Sequence, residues 1–478
     1  MIFSSSSFIL FLFALLGIYS NCKTPLQRAN VLLIASFIFY ASWKPIYLVL
    51  LVVSLAINYY IYCRLIEHKN KLLLILGVIS NLCLLGVFKY SVLFFETWIW
   101  VNFELGINGI QTLPSWLDWA LPLGISFFTF QMLSALIDVY RGQWGEKITF
   151  RQWCLYVSFF PQFIAGPIAR ASELVDQLQV LHPLKWVDLR AGALIFAGGL
   201  IKKALFADNL APLVETLYSQ PENLNFTMAW LATLAFALQI YFDFSGYSEM
   251  AIGLGRMFGI RLPRNFKHPY ISRSCGEFWH RWHMTLSRWL RDYLFIPLGG
   301  SRCSNSRMSI NLLLTMLLGG LWHGAGWNFV FWGLLHGSYL IGHRALKGVY
   351  LAINLNSRLI LRRVVEFLSI PLTFILICFT WVFFRAESFS DAWVVSGAML
   401  GVYQSSSSPP EIRLYLQLIV FVSFIVVFLE PLIERWFLRG FRQWQNVPFY
   451  IRGTAYASIA MAAHIFGGNT QKFIYFDF

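Results

Sequence analysis

The sequence predicts an all-α polytopic membrane protein. Of its 478 residues only 13% are charged and 58% are hydrophobic, against roughly 25% charged in soluble domains. Its mean hydropathy is +0.60, and apolar runs recur along the whole chain. A helix needs about 20 mostly apolar residues to cross a bilayer, because in lipid the backbone must satisfy its own hydrogen bonds. A chain of this length therefore has room for on the order of ten crossings. Lys and Arg number 37 against 23 Asp and Glu, a formal net charge of +14. They lie in short loops beside apolar runs and form no block or arm, a pattern of membrane orientation and not of nucleic-acid binding. A soluble enzyme with a single anchor is excluded as well.

Residues 8–19, 31–43, 46–63 and 72–88 are the opening apolar runs. The loops carrying Lys23 and Arg28, and Arg64, Lys69 and Lys71, are basic, and Lys44-Pro45 between them reads as a tight hairpin. Basic loops are expected on the cytoplasmic side. Residues 96–118 hold Glu96, Glu104 and Asp118, no Lys or Arg, and several Trp, as an outer interfacial segment would. Residues 119–139 then return to Arg141, Lys147 and Arg151. This alternation puts the N-terminus on the outer side of the membrane. The first run has no basic flank before it and no A-x-A site after it, so it is expected to be retained.

Further runs lie at residues 153–168, 191–201, 228–244, 309–322, 329–340, 364–384, 392–402, 414–429 and 455–465. Several are short, and Pro161, Gly166 and Pro167, then Gly319, Gly320, Gly324 and Gly326, interrupt them. Broken backbone at membrane depth requires surrounding protein or a water-filled cavity, so a central cavity is expected. Residues 405–410 read as a surface loop. The chain is taken as one membrane domain over residues 1–478, with N-terminal helices to 151, a core at 152–345 and C-terminal helices from 346.

Between Arg256 and Arg307 ten basic residues face two acidic ones, Glu277 and Asp292. Wound at about 100° per residue, residues 277–293 gather Trp279, Trp282, Leu286, Trp289, Leu290 and Tyr293 on one side, with Arg281, Arg288 and Arg291 opposite. That pattern predicts an amphipathic helix lying in the interface. The seven cysteines have no CxxC spacing and read as packing residues.

Nine histidines are present, and their contexts separate them. His68, His182, His268 and His343 sit beside charges or turns and read as solvated. His323 lies in Gly319-Gly320-Leu321-Trp322-His323-Gly324-Ala325-Gly326-Trp327, where an ionisable side chain at the end of an apolar run is a functional candidate. His336 follows in an apolar Leu-Leu-His-Gly context, with structural and functional readings evenly matched. His283 falls at the edge of the aromatic face, while His280 turns to the basic side. The HxxH spacing has no adjoining carboxylate or Cys, so zinc is not expected. Asp243, in Tyr241-Phe242-Asp243-Phe244-Ser245-Gly246-Tyr247, either pairs with a cation or lines the cavity. No phosphate loop, GxSxG elbow or carboxylate pair is evident. A buried neutral imidazole suits general-base activation of a hydroxyl, and acyl transfer fits that requirement.

Five motifs then carry a resemblance: Leu121-Pro122-Leu123-Gly124-Ile125-Ser126-Phe127, Phe160-Pro161-Gln162-Phe163-Ile164-Ala165-Gly166-Pro167, Tyr241 through Tyr247, Phe278-Trp279-His280-Arg281-Trp282-His283, and Leu321-Trp322-His323-Gly324. With Phe3-Ser4-Ser5 at the start and Phe473-Ile474-Tyr475-Phe476 at the end, the chain resembles the membrane-bound O-acyltransferase (MBOAT) family, in the branch that O-acetylates alginate-like polysaccharides and peptidoglycan. The resemblance implies a bowl of about 11 membrane helices, with re-entrant and interfacial helices around a central tunnel. It implies acetyl-CoA as a cytosolic donor, no bound cofactor, an exported polysaccharide acceptor and a periplasmic acetyltransferase partner. His323 matches the family's catalytic histidine and His283 its second polar position. Asp243, Trp279, Trp282, Trp322, Gln162, Arg281 and Arg288 are candidates for lining the tunnel or binding donor and acceptor. His280 stands where the branch leads one to expect Arg, which bears on donor binding. A transporter or flippase, or an acyltransferase of the same fold acting on teichoic acid or lipid, are the alternatives.

Overall fold

A computed structural model describes residues 1–106, 112–114, 117, 120–352, 359–403, 412–444, 447–465 and 473–474. Among the described residues every regular element is a helix. Five helical stretches are long and apolar enough to cross a membrane: Ile46–Glu67, Lys71–Glu104, Phe226–Met257, Arg363–Arg385 and Leu414–Trp436. Two shorter apolar helices, Ser6–Ser20 and Pro25–Ala41, stand beside them. Large apolar side chains such as Leu10, Phe13, Ile46, Phe367 and Trp436 are exposed on these helices, where a water-soluble fold would bury them. The expected surface loop at residues 405–410 and residues 107–111, 115–116 and 118 of the acidic outer segment lie outside the described residues. The near part of that segment is helical, continuing as Ser91–Glu104.

Small residues set the closest helix contacts, since in lipid packing and not water exclusion brings helices together. Trp186–Ile201 lies against Phe226–Met257 through Gly192 and Gly199, where a Cβ would stand 2.5 Å from the Gly253 oxygen and 2.4 Å from the Gly246 oxygen. Asn305–His323 meets Trp327–Ala352 in the same way, a Cβ on Gly320 falling 2.2 Å from the Phe329 oxygen. Ile125–Arg141 is buried along nearly all its length and forms the centre of the bundle.

The interrupted run at residues 153–168 folds as two short helices, Phe150–Ser158 and Phe160–Phe163, with every residue from Trp153 to Ile168 buried. Its broken backbone is thus enclosed by protein, as the bilayer requires. The ends of the chain converge on the long helix: Phe3 and Phe473 both stack on Tyr247, each with ring centroids 4.6 Å away.

One expectation is corrected. Residues 277–293 are not a single interfacial helix but Cys275–Arg281, Met284–Leu290 and a π-helical turn Arg291–Phe295. The break falls at His283, whose φ of +41° is left-handed. The aromatic side chains still point inward, Trp279, Trp282, Leu286, Leu290 and Tyr293 all being buried. The pattern was right about the face and silent about the kink, because an apolar stripe constrains where side chains go and not the path of the backbone between two short helices.

Candidate active site

His323 is the last residue of Asn305–His323, and Gly324 ends that helix in extended conformation at φ −154°. The glycines around it let neighbouring chain approach: a Cβ on Gly324 would meet the Phe329 ring at 2.2 Å. The final carbonyls of a helix lack partners of their own. Here they are capped by side chains from a different helix: Tyr90 donates to the Leu321 oxygen at 2.7 Å, and Lys89 Nζ to the Trp322 oxygen at 2.5 Å and the His323 oxygen at 3.1 Å. Lys89 and Tyr90 sit on the π-helical turn Gly86–Tyr90, a register break of the sort that clusters at functional sites. An ammonium at a helix C-terminus is also favoured by the helix dipole.

His283 is held by a second set of polar groups. Asn265, fully buried, accepts from the Thr285 hydroxyl at 2.6 Å and donates to Ser248 at 2.9 Å, while its main-chain oxygen accepts from Met284 at 2.9 Å. Thr285 Oγ1 in turn accepts the Ile168 N–H at 3.0 Å. These bonds hold the left-handed turn, a conformation costing a non-glycine residue on the order of 1–3 kcal/mol, against both the long helix and the re-entrant segment. His283 is fully buried, and neither ring nitrogen has a hydrogen-bond partner among the described residues.

The two imidazoles meet with centroids 6.4 Å apart and planes inclined by 65°. Trp322 and Trp332 flank His323 at 5.0 Å each and Phe384 at 5.4 Å; Phe244 and Phe127 flank His283 at 4.8 and 6.3 Å. A pocket of about 490 Å³, solvent at its mouth included, reaches His323 past Lys89, Ser126 and Trp322. A wider recess of about 2210 Å³, again counting solvent, comes to the chain beyond Gly324, at Gly326, Trp327 and Asn328. The first of these reaches the His323 side chain, and the second stops at the chain that follows it.

Trp279, Trp282 and Trp322 all belong to this aromatic assembly, Trp282 packing on Trp381 at 5.0 Å. His336, fully buried, spends both nitrogens: Trp279 Nε1 donates to its Nδ1 at 3.3 Å, and its Nε2 lies 3.1 Å from Thr380 Oγ1. Asp243 pairs with Lys203 at 2.8 Å and accepts the Ile474 N–H at 2.9 Å. Gln162 donates to the Tyr156 oxygen at 2.7 Å, its own oxygen unpartnered among the described residues. Neither Asp243 nor Gln162 lines the pocket beside His323.

The basic residues are more occupied than their spacing suggests. Arg281 pairs with Glu277 at 2.7 Å, Arg288 with Glu173 at 2.6 Å, and Arg291 with Asp292 at 2.7 Å, while Arg170 also reaches Asp292. Burial pushes the Glu277 and Asp292 carboxyls up. The Arg273 N–H and Arg281 guanidinium on the first, and the Arg291 and Arg170 guanidinia on the second, outweigh it and hold both below the usual carboxylate range. His268 is not the solvated loop residue expected: it is buried with φ +48°, Nδ1 3.0 Å from Glu430 and Nε2 2.6 Å from Glu434. His343 is helical, within Trp327–Ala352.

Sequence reasoning missed Lys89 and Asn265 and left His336 evenly balanced between a structural and a functional role. Lys89 carried a usable signal, a lysine between two apolar stretches, obscured because it fell where one run seemed to end. Asn265 carried none. Among the described residues no three His, Cys, Asp or Glu side chains converge as a metal site requires.

Comparison with known proteins adds the following. The family model described as MBOAT, membrane-bound O-acyltransferase family, matches residues 143–384. The chain is 43% identical to the probable alginate O-acetylase AlgI of Pseudomonas aeruginosa, over 85% of this chain and 76% of that protein. It is 38% identical to the peptidoglycan O-acetyltransferase of Helicobacter pylori, over 82% and 79%. The teichoic acid D-alanyltransferase of Bacillus subtilis is 28% identical over 56% and 69%.

Proposed function

This chain belongs to the membrane-bound O-acyltransferase family, and we propose that it moves an acetyl group from cytosolic acetyl-CoA across the inner membrane for O-acetylation of an exported polysaccharide, alginate-like or peptidoglycan. It is a multi-pass membrane O-acyltransferase. The observation that supports the finer reading is the pair of buried imidazoles 6.4 Å apart, with a pocket that reaches His323. In this reading His323 accepts the proton of an acceptor hydroxyl as its oxygen attacks the thioester carbonyl. The carbon–sulfur bond then breaks, its electron pair leaves on sulfur, and the proton passes to the thiolate to release free CoA. His283, with both nitrogens unspent among the described residues, orients the acceptor or polarises the carbonyl. Trp279, Trp282 and Trp322 exclude water from the thioester.

Arg281 and Arg288 already neutralise carboxylates. Arg261, Lys267, Arg302 and Arg307 are exposed, with no ion pair among the described residues, so these four are free to meet the donor's phosphates first. The acceptor side is served by a periplasmic acetyltransferase partner. Acetylation is preferred to D-alanylation because the O-acetylating relatives are the more similar.

The test is purified protein in nanodiscs with acetyl-CoA radiolabelled on the acetyl group, supplied with a polysaccharide acceptor and a candidate partner. Thioester cleavage and label transfer are expected from wild type and should fall by about 10²–10⁴-fold in a folded His323→Ala variant, the usual contribution of a general base. Equal rates in the two would sink the assignment of the base. No thioester consumption by either would bring transport to the front.

A further inference from the structure

Asn265, which holds the His283 turn, sits shortly before a second fixed point in the chain. His268 is 9% exposed and left-handed at φ +48°, a conformation that a non-glycine residue keeps only where its surroundings impose it. Here the helix Leu414–Trp444 imposes it, with Nδ1 3.0 Å from Glu430 and Nε2 2.6 Å from Glu434. A neutral imidazole has one donor and one acceptor, whereas the imidazolium has two donors. A carboxylate on each nitrogen is therefore matched only by the doubly protonated ring, since a neutral ring sets its lone pair against an oxygen. The groups packed around the ring keep those carboxylates accepting. Lys202 reaches Glu430 at 2.5 Å and Glu249 at 2.6 Å, the Tyr241 hydroxyl donates to Glu430, and Arg264 reaches Glu434 at 3.0 Å. Two paired cations, Lys202 and Arg264, thus stand among three carboxylates, and a proton on His268 completes the balance.

The same loop is laced to the turn that carries His283. The Lys267 N–H donates to the Arg281 oxygen at 2.9 Å, the Met284 N–H to the Asn265 oxygen at 2.9 Å, and the Thr285 hydroxyl to the Asn265 side chain at 2.6 Å. The Phe266 ring lies edge-on to Trp282 at 5.0 Å and 6.5 Å from the His283 ring. Residues 264–268 therefore tie Leu414–Trp444 on one side to His283 on the other. Side chains of Glu434 and Arg264 are 34% and 46% exposed, so protons of the aqueous phase reach the ring between them.

We propose that protonated His268 is a positioning residue for acyl transfer, clamping the 264–268 loop to Glu430 and Glu434 so that His283 is held while the ring carries both protons and loosens as rising pH removes one. The effect on turnover rests on the acyltransfer reading, and the clamp itself does not.

The experiment takes the full chain in nanodiscs from about pH 6 to about pH 9, a range that covers histidine titration and the region above it. It reads backbone deuterium exchange of a peptide spanning residues 281–287, and consumption of radiolabelled acetyl-CoA with alginate as acceptor and the candidate partner present. His268→Gln has one donating and one accepting end, as the neutral ring does, and Glu434→Gln offers a neutral ring a donor for its bare nitrogen. Variants are compared with wild type at each pH, so that base catalysis of exchange cancels. The ratio of wild-type to Glu434→Gln exchange should rise about tenfold from the acid to the alkaline end as the turn opens locally, and wild-type turnover should fall by a similar factor, less than the roughly 10²-fold of a full 1 Å displacement. Wild type should exchange more slowly than His268→Gln at the acid end and match it at the alkaline end. Glu434→Gln turnover should stay level with pH, and that variant decides the matter if His268→Gln does not fold. A wild-type to Glu434→Gln ratio that stays constant with pH would overturn the proposal, as would a His268→Gln variant that exchanges like wild type at the acid end. So would exchange that rises with pH while turnover holds steady, the signature of a clamp that positions nothing. The expected exchange pattern without acetyl-CoA consumption at any pH would leave the clamp standing and remove the acyltransfer reading instead.

Discussion

The imidazoles of His283 and His323 stand 6.4 Å apart, although one sits in a left-handed turn between two short helices and the other ends a long one. No hydrogen bond joins them. Each is fixed by its own scaffold, Asn265 and Thr285 for His283 and the Lys89 and Tyr90 cap for His323.

His283 and His336 are both fully buried, yet opposite effects are expected from replacing them. His336 bonds through both nitrogens, so His336→Ala leaves the Trp279 N–H unsatisfied and should cost about 1–3 kcal/mol. Folded molecules of that variant should retain turnover. His283 has no such bonds to lose, so His283→Phe is expected to fold at least as stably as wild type, a buried polar group without partners being itself costly, and to lose turnover. Thermal unfolding in detergent paired with single-turnover rates separates the two.

Asn265→Ala removes the side-chain bonds to Thr285 and Ser248 that lock the turn and leaves the main-chain oxygen accepting from Met284. A displacement of His283 of about 1 Å is enough to cost roughly 10²-fold in rate. The expected outcome is a fall in kcat of that order with His323 and His283 both present, accompanied by a lower unfolding temperature. Unchanged kcat would mean that the turn holds its shape without Asn265.

Two glycines of neighbouring helices give a packing test. Gly320→Ala puts a Cβ 2.2 Å from the Phe329 oxygen, forcing Asn305–His323 away from its partner, and should destabilise by about 1–3 kcal/mol while lowering activity. Gly342→Ala meets nothing within 4 Å and should stabilise by up to about 1 kcal/mol through helix propensity. Both are read by thermal unfolding of the purified protein.

Asp292 links Arg170 and Arg291, and its main-chain oxygen accepts from Arg141. Its folded carboxyl titrates below the unfolded value, so its contribution is present above the unfolded pKa of about 3.9 and is lost as pH falls through the folded one. Asp292→Asn should be less stable than wild type at pH 7, by no more than about 1 kcal/mol for a partly exposed pair. The gap should close as the medium is acidified below about pH 4. A gap that stayed constant with pH would show that the ion pairs contribute nothing.

The helical membrane class was legible because bilayer chemistry acts on composition: a run of apolar residues is informative without knowing its neighbours. His323 and His283 were legible for a related reason, since an imidazole placed among Trp, Gly and Leu stands out by chemistry. Distances between runs were not. Lys89 lies far from His323 in sequence, and its hydrogen bonds to that helix's last carbonyls arise only when the π-helical turn is packed against it. The pairing of Arg281, Arg288 and Arg291 with carboxylates changed them from candidate donor ligands to occupied side chains.

The sequence by itself determined that the chain is helical, lies in a membrane and carries imidazoles in apolar surroundings, because local chemistry and hydropathy need no partner to be read. Only the tertiary structure decided which side chains converge: the kink at His283, the cap on His323, the satisfied His336 and the carboxylates on both nitrogens of His268. Hydrogen bonds and close contacts form between residues distant in the chain, and their energy depends on distances of a few tenths of an ångström that no linear spacing encodes.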